Sequence, residues 1–165
     1  MRKKSHEDVS PSVPDIGHGK RGVEGHIGYL LRQAHSVHRT RMERALAADG
    51  VTLPQFSVLV MLAAYPGASG AELARLSMLT PQTMNVILAN LERDGAIARR
   101  PHPDHGRIQI NEVTKEGNAL LSRCKRAVKG VEANLLRDLT ADEESVVRRW
   151  LVKVARDDDM SAVSN

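Results

Sequence analysis

The sequence, 165 residues long, predicts a mainly helical α+β domain. Three observations carry that expectation. Apolar residues recur at helical spacing over six separate stretches. Three of these stretches open on a Thr or Ser followed three positions later by Gln or Glu. Between the fourth and fifth stretches lie two short strand-like runs around a connection rich in Pro and Gly.

Composition narrows the rest. With 24 Lys and Arg against 20 Asp and Glu the formal charge is +4, so the placement of charge, rather than its sum, must indicate a polyanionic partner. No apolar run approaches the roughly 20 residues that cross a bilayer. The opening Met1-Arg2-Lys3-Lys4-Ser5 leads into polar sequence without the apolar core of a signal peptide. A single cysteine, Cys124, excludes an internal disulfide framework or a cysteine-based zinc ribbon and fits a reducing cytoplasm. The aromatic residues Tyr29, Phe56, Tyr65 and Trp150 are too few for base stacking along a single strand. No Gly-rich phosphate loop, nucleophile elbow or His-Glu-x-x-His helix is present, so an enzyme is not expected, nor is a cofactor.

Residues 1–22 lack an apolar period and mix Arg2, Lys3, Lys4, Lys20 and Arg21 with Glu7, Asp8 and Asp15. They are expected to form a flexible arm, solvated or brushing nucleic-acid phosphates. The domain proper is expected over residues 23–156. Its first helix, residues 24–48, carries the stripe Ile27, Leu30, Leu31, Ala34, His38, Ala45 and Leu46 and stops at Asp49-Gly50. Thr52-Leu53-Pro54-Gln55 opens the second, which runs to about Tyr65. It is apolar nearly all round, which places it at the centre of the scaffold, buried on all sides. Ser69-Gly70-Ala71-Glu72 opens a short helix with Leu73, Ala74 and Leu76, and Met78-Leu79-Thr80 separates it from the next. That fourth helix has Thr80 as its cap, Pro81 at its first position and Gly95 as its stop. Met84, Ile87, Leu88 and Leu91 face inward, leaving Gln82, Thr83, Asn85, Val86, Ala89 and Arg93 outside.

Two helices joined this tightly are either a helix-turn-helix or an ordinary αα-hairpin. The next segment decides. Residues 96–100 and 107–113 are strand-like and flank Pro101-His102-Pro103-Asp104-His105-Gly106. Arg99, Arg100 and Arg107 cluster on this hairpin, and His102 and His105 add charge below about pH 6.5. A basic hairpin directly after a helix-turn-helix is a wing, which reaches a neighbouring backbone or minor groove while the helix reads the major groove. The expected fold is therefore a winged helix-turn-helix, with its DNA-binding lobe over about residues 52–113. Thr114 then caps a helix over residues 115–138, whose Leu121, Cys124, Val128, Val131 and Leu135 form a seam spaced three, four, three, four for a partner helix. Thr140-Ala141-Asp142-Glu143 opens the last helix. It is expected to bury Val146, Val147, Trp150, Leu151 and Val154 before an acidic tail over residues 157–165.

Several motifs stand in one register over about residues 25–156: Thr52-Leu53-Pro54-Gln55-Phe56, Ala71-Glu72-Leu73-Ala74, and Asn90-Leu91-Glu92-Arg93-Asp94-Gly95 with Ile97 and Arg99-Arg100. A wing ending in Arg107 and Val113-Thr114-Lys115-Glu116-Gly117 complete the set. In this order the chain resembles the MarR family of dimeric winged-helix transcriptional regulators. It departs from the family at the wing tip, where Pro103-Asp104-His105-Gly106-Arg107 replaces an Asp-x-Arg pattern. It departs again at Asn85, where the family often has arginine.

The resemblance implies a cytoplasmic homodimer interlocked through its first helix (about 24–48) and its last two (115–156). It would read a pseudo-palindromic operator in double-stranded DNA with half-sites about 34 Å apart. It would act as a repressor that occludes promoter DNA and is released by a small phenolic or other aromatic effector. Gln82, Thr83 and Asn85, behind the Thr80 cap, are the base-edge candidates, since amides pair bidentately with adenine and a Thr methyl touches thymine. Arg93, Arg99, Arg100, His105 and Arg107 are the phosphate or minor-groove candidates. For the effector, the resemblance points to a cleft between dimerisation helices and DNA lobe, with Arg32, His35, His38, Arg39, Met61 and Tyr65 as candidates. No third ligand joins His35-x-x-His38, so no metal is expected. Cys124 lies on the fifth-helix seam, away from the first helix where peroxide-sensing members carry their cysteine, so redox sensing is not expected either. The other function this order of elements allows is a winged-helix adaptor for proteins without DNA contact. A gel shift that persists against competitor DNA separates the two.

Overall fold

The computed structural model describes residues 13–101, 103 and 108–156, and the chain divides into two compact units, one up to Arg41 and one from Met42.

The first unit holds a 3-10 turn, Gly19–Arg21, and most of helix α1, Ile27–Leu46. Of the arm expected over residues 1–22, residues 1–12 lie outside the described residues, while 16–22 form turns tied to α1. Arg21 fastens them. Its Nε donates to Gln33 Oε1 at 3.3 Å, its Nη1 to the Pro14 carbonyl at 2.7 Å, and Gln33 Nε2 returns a bond to the Arg21 carbonyl at 3.2 Å. These polar bonds span stretches of sequence that an apolar period does not register. The turns continue to Gly25, whose N–H reaches the Gly22 carbonyl at 2.9 Å, so α1 starts at Ile27 rather than residue 24.

The second unit begins where the last turn of α1 buries Met42 and Leu46. A 3-10 turn, Ala47–Asp49, follows, and Gly50 at φ 66° ends it in the left-handed region that glycine adopts without a steric cost. Then come α2 (Leu53–Ala64), α3 (Gly70–Leu76), α4 (Pro81–Arg93), the strands β1 (Ile97–Pro101) and β2 (Gln109–Val113), α5 (Lys115–Leu136) and α6 (Ala141–Ala155). The caps read from the sequence all form. Thr52 with Gln55, Ser69 with Glu72 and Thr140 with Glu143 make reciprocal capping boxes, and Thr80 and Thr114 accept from the amides of Thr83 and Gly117.

Val58, Leu59 and Leu62 of α2, Leu73 of α3, Met84 and Leu88 of α4, and Leu121 and Cys124 of α5 form the centre of the core. The expectation that α2 is buried on all sides holds for its middle but not its end. Ala63, Ala64 and Tyr65 are exposed, the described elements of the second unit leaving that last turn uncovered. The larger correction concerns α6. Val146, Val147, Trp150, Leu151 and Val154 were expected to be buried, but α6 has no buried residue at all, and Trp150 stays 39% exposed. On α5 burial likewise fades along the seam, from Leu121, Cys124 and Val128 to an exposed Leu135.

β1 and β2 pair antiparallel, with Ile97 opposite Val113 and Pro101 opposite Gln109. Gly117 in the first turn of α5 abuts this junction. A methyl group there would overlap the Ala96 carbonyl, so only glycine lets the helix leave the wing so closely.

Candidate nucleic-acid interface

The turn that sets α4 against α3 is closed by two bonds, from Met78 N–H to the Arg75 carbonyl at 3.2 Å and from Leu79 N–H to the Ala74 carbonyl at 2.9 Å. This is a Schellman end with methionine where glycine is usual, since Met78 sits at φ 53° and is 92% exposed. At the far end of α4 the same motif recurs with Gly95 at φ 72°; Gly95 and Ala96 donate to the carbonyls of Glu92 and Leu91 at 3.0 and 2.8 Å.

Between these stops α4 has two faces. Met84, Ile87, Leu88 and Leu91 are buried, whereas Gln82, Thr83, Asn85, Val86, Ala89 and Arg93 are exposed. Thr80 is committed to the cap: its hydroxyl accepts from the Thr83 amide at 3.2 Å and shares a 2.9 Å hydrogen bond with the Thr83 hydroxyl. That leaves Gln82 and Asn85 with their amides open outward in the first two turns. Asn85 shares a cleft of about 400 Å³ with Arg99, Ile108, Gln109 and the start of α3, so α4 and the base of the wing present one continuous groove.

The wing is bolted to the helix-turn-helix by a residue the sequence did not single out. Asn111 is fully buried. Its Nδ2 donates to the Ala68 carbonyl at 2.7 Å, its own N–H reaches the same oxygen at 3.3 Å, and its carbonyl accepts from Gly67 N–H at 3.0 Å. An isolated antiparallel bridge between Ser69 and Ile110 ties the loop before α3 to β2 beside it. Arg99 and Arg100 extend from β1. Arg99 is drawn toward the end of α4, with Nη1 3.5 Å from Glu92 Oε2, while Arg100 pairs with Glu112 on β2. Arg93 grips Asp94 with Nε at 2.9 Å and Nη2 at 3.3 Å. His105 and Arg107 lie outside the described residues.

A sequence model of the MarR family matches residues 49–108. The HTH-type transcriptional repressor Rv2887 of Mycobacterium tuberculosis is 40% identical over 131 residues, covering 79% of this chain and 94% of its own. The chain belongs to the MarR family. The repressor CouR, solved bound to a 23-mer DNA duplex, superposes with a TM-score of 0.74 at 30% identity over 79% of this chain and 93% of its own. Rv2887 in complex with salicylic acid gives 0.60 at 40% identity over 78% and 98%. As a MarR family member, the protein is a DNA-binding transcriptional regulator with a winged helix-turn-helix.

For a MarR effector, the candidate residues fall in both units. Arg32, His35 and Arg39 are exposed and His38 half-buried on α1 in the first unit. In the second, Met61 is half-buried in α2 and Tyr65 exposed at its end, where it lines an open cleft of about 570 Å³ with Glu72, Arg75 and Leu76. Among the described residues, no three His, Cys, Asp or Glu side chains converge as metal ligands would. Cys124 is fully buried, and that burial pushes its thiol pKa up, away from the thiolate. No single described helix is long and apolar enough to cross a membrane.

Proposed function

We propose that this MarR family member is a cytoplasmic homodimeric repressor, not an enzyme, that occupies a pseudo-palindromic operator and is released by a small aromatic acid. The observation that carries the reading is the single groove in which the outward amide of Asn85 meets Arg99 at the base of the wing. Gln82, Thr83 and Asn85 read base edges in the major groove. Arg93, Arg99, Arg100, His105 and Arg107 contact phosphates or the minor groove, and Thr80 fixes the helix start that aims the others. Dimerisation is supported by the uncovered apolar side of α6 and the far end of α5, since a soluble monomer rarely exposes so continuous an apolar stripe. The aromatic-acid class is supported by the salicylic acid complex of Rv2887. Arg32, His35, His38 and Arg39 of the first unit and Met61 and Tyr65 of the second are the candidate effector contacts.

The deciding experiment maps the fragments that the full chain binds, and then measures its mass on the recovered operator with and without salicylate. A two-fold site bound by two chains and emptied by the acid supports the reading. A monomer on DNA, or binding that competitor duplex abolishes, overturns it.

A further inference from the structure

A protein surface that reads DNA faces a polyanion, yet in this chain it carries no net charge. Between residues 80 and 113 stand Arg93, Arg99, Arg100 and Arg107 against Glu92, Asp94, Asp104 and Glu112. The cancellation is also local. Each arginine that α4 and the described part of the wing carry has a carboxylate within ion-pair reach, Arg93 with Asp94, Arg99 with Glu92 and Arg100 with Glu112. Arg99 is the most enclosed of the three, its side chain only 28% exposed beside Asn85 in the groove.

Exposed ion pairs of this kind add little to folding. Their effect on DNA is different. An arginine gains affinity by neutralising a phosphate and releasing a counterion from it. Where a carboxylate already neutralises that arginine, the exchange releases less, and the carboxylate left behind repels the phosphate. We propose that Glu92 and Glu112 are affinity-limiting residues of the DNA interface, which compete with phosphate for Arg99 and Arg100. This rests on the DNA-binding reading above. Because phosphates carry no sequence, the competition lowers binding to operator and to random duplex by the same factor, and discrimination is left to the face of α4.

The test is a salt series of duplex binding by the full chain and its E92Q/E112Q variant, on operator and on random DNA. The double variant should bind both about tenfold tighter at low salt, with the slope of log affinity against log salt steeper by about 0.9 for each carboxylate removed. The ratio of operator to random affinity should stay constant. D142N, which changes net charge by one from the exposed start of α6, as E112Q does from the wing, should leave the slope alone. Should E92Q disturb the end of α4, E112Q alone, on the exposed side of the hairpin, carries the same expectation of one such step. Unchanged slopes, weaker binding or a gain confined to operator would mean that the carboxylates merely position their arginines, and would overturn the proposal. A wild-type chain that shifts no duplex overturns this proposal and the DNA-binding reading together, whereas a wild type that binds operator while the variant keeps its slope overturns this one alone.

Discussion

The winged lobe and α6 spend their apolar residues in opposite ways. In the lobe, Leu59, Leu62, Leu73, Met84 and Leu88 close into a core within one chain, and the outer face of α4 keeps only Val86 and Ala89 among its polar residues Gln82, Thr83, Asn85 and Arg93. In α6 the apolar residues at 146, 147, 150, 151 and 154 stay in solvent, although the helix is capped as well as any in the lobe. Capping is therefore not what separates the two. A capping box satisfies amides locally and forms wherever its two residues stand, whereas burial needs a second surface. The lobe supplies that surface from its own elements. The structure of one chain leaves α6 without one, which is the form a subunit interface takes before its partner arrives.

The comparison breaks most visibly if core and stripe are exchanged in an experiment. Leu88→Ala removes a fully buried side chain between α4 and the rest of the lobe and should cost about 2–5 kcal/mol, read from urea unfolding followed by circular dichroism. The corresponding insult to α6, Leu151→Glu, should leave the unfolding of the lobe nearly unchanged. Sedimentation should instead show a monomer, and operator affinity should fall by about 100-fold as the second half-site ceases to be intramolecular. A Leu151→Glu protein that remains dimeric would show that α6 does not carry the interface.

The same contrast explains what could be read from the sequence. Each of the five helix starts at Thr52, Ser69, Thr80, Thr114 and Thr140 was legible, because donor and acceptor lie three residues apart. So was the division of α4 into buried and exposed faces, because Met84, Ile87, Leu88 and Leu91 repeat at the helical period. That the seams of α5 and α6 exceed what one chain covers was legible as well, whereas how completely α6 stays uncovered was not, since periodicity marks which residues seek burial without saying which chain provides it. Asn111 was missed for a related reason. A polar residue in a strand gives no signal of burial, and its partner, Ala68, lies 43 positions away. The pairing of Arg100 with Glu112 depends on strand register, which no local rule supplies.

On the lobe's outer face the expected effects are smaller and depend on DNA sequence. Asn85→Ala should cost about 1–3 kcal/mol on operator DNA and nothing on random duplex, measured by competitive gel shift. Fold stability should hold, because Asn85 is exposed. Equal losses on both duplexes would move Asn85 from base reading to backbone contact, leaving Gln82 and Thr83 to carry specificity alone.

The smallest effect compares the capping boxes themselves. The Glu72 carboxyl is held below its ordinary pKa by the Ser69 hydroxyl and then by the Ser69 amide; that of Glu143 is held below by the Thr140 amide and then by its hydroxyl. A carboxylate with a lowered folded pKa contributes stability that is present above its unfolded value, near 4.5, and is lost as pH falls through the folded one. Acidification from neutral through that window should therefore loosen the starts of both α3 and α6, with unequal consequences. α3 is also held by buried Leu73 and Ala74, so its amides should stay protected from hydrogen exchange when Glu72 is protonated. α6 has no such support among the described residues, and in a monomeric Leu151→Glu background its first turn should lose protection as Glu143 takes up its proton. Replacing Glu143 with Gln, which keeps an acceptor for the Thr140 amide but does not titrate, should remove that pH dependence. If the first turn of α6 kept its protection at low pH in the monomer, some surface of the same chain would have to be covering the stripe, and the contrast between the two regions would fail at its root.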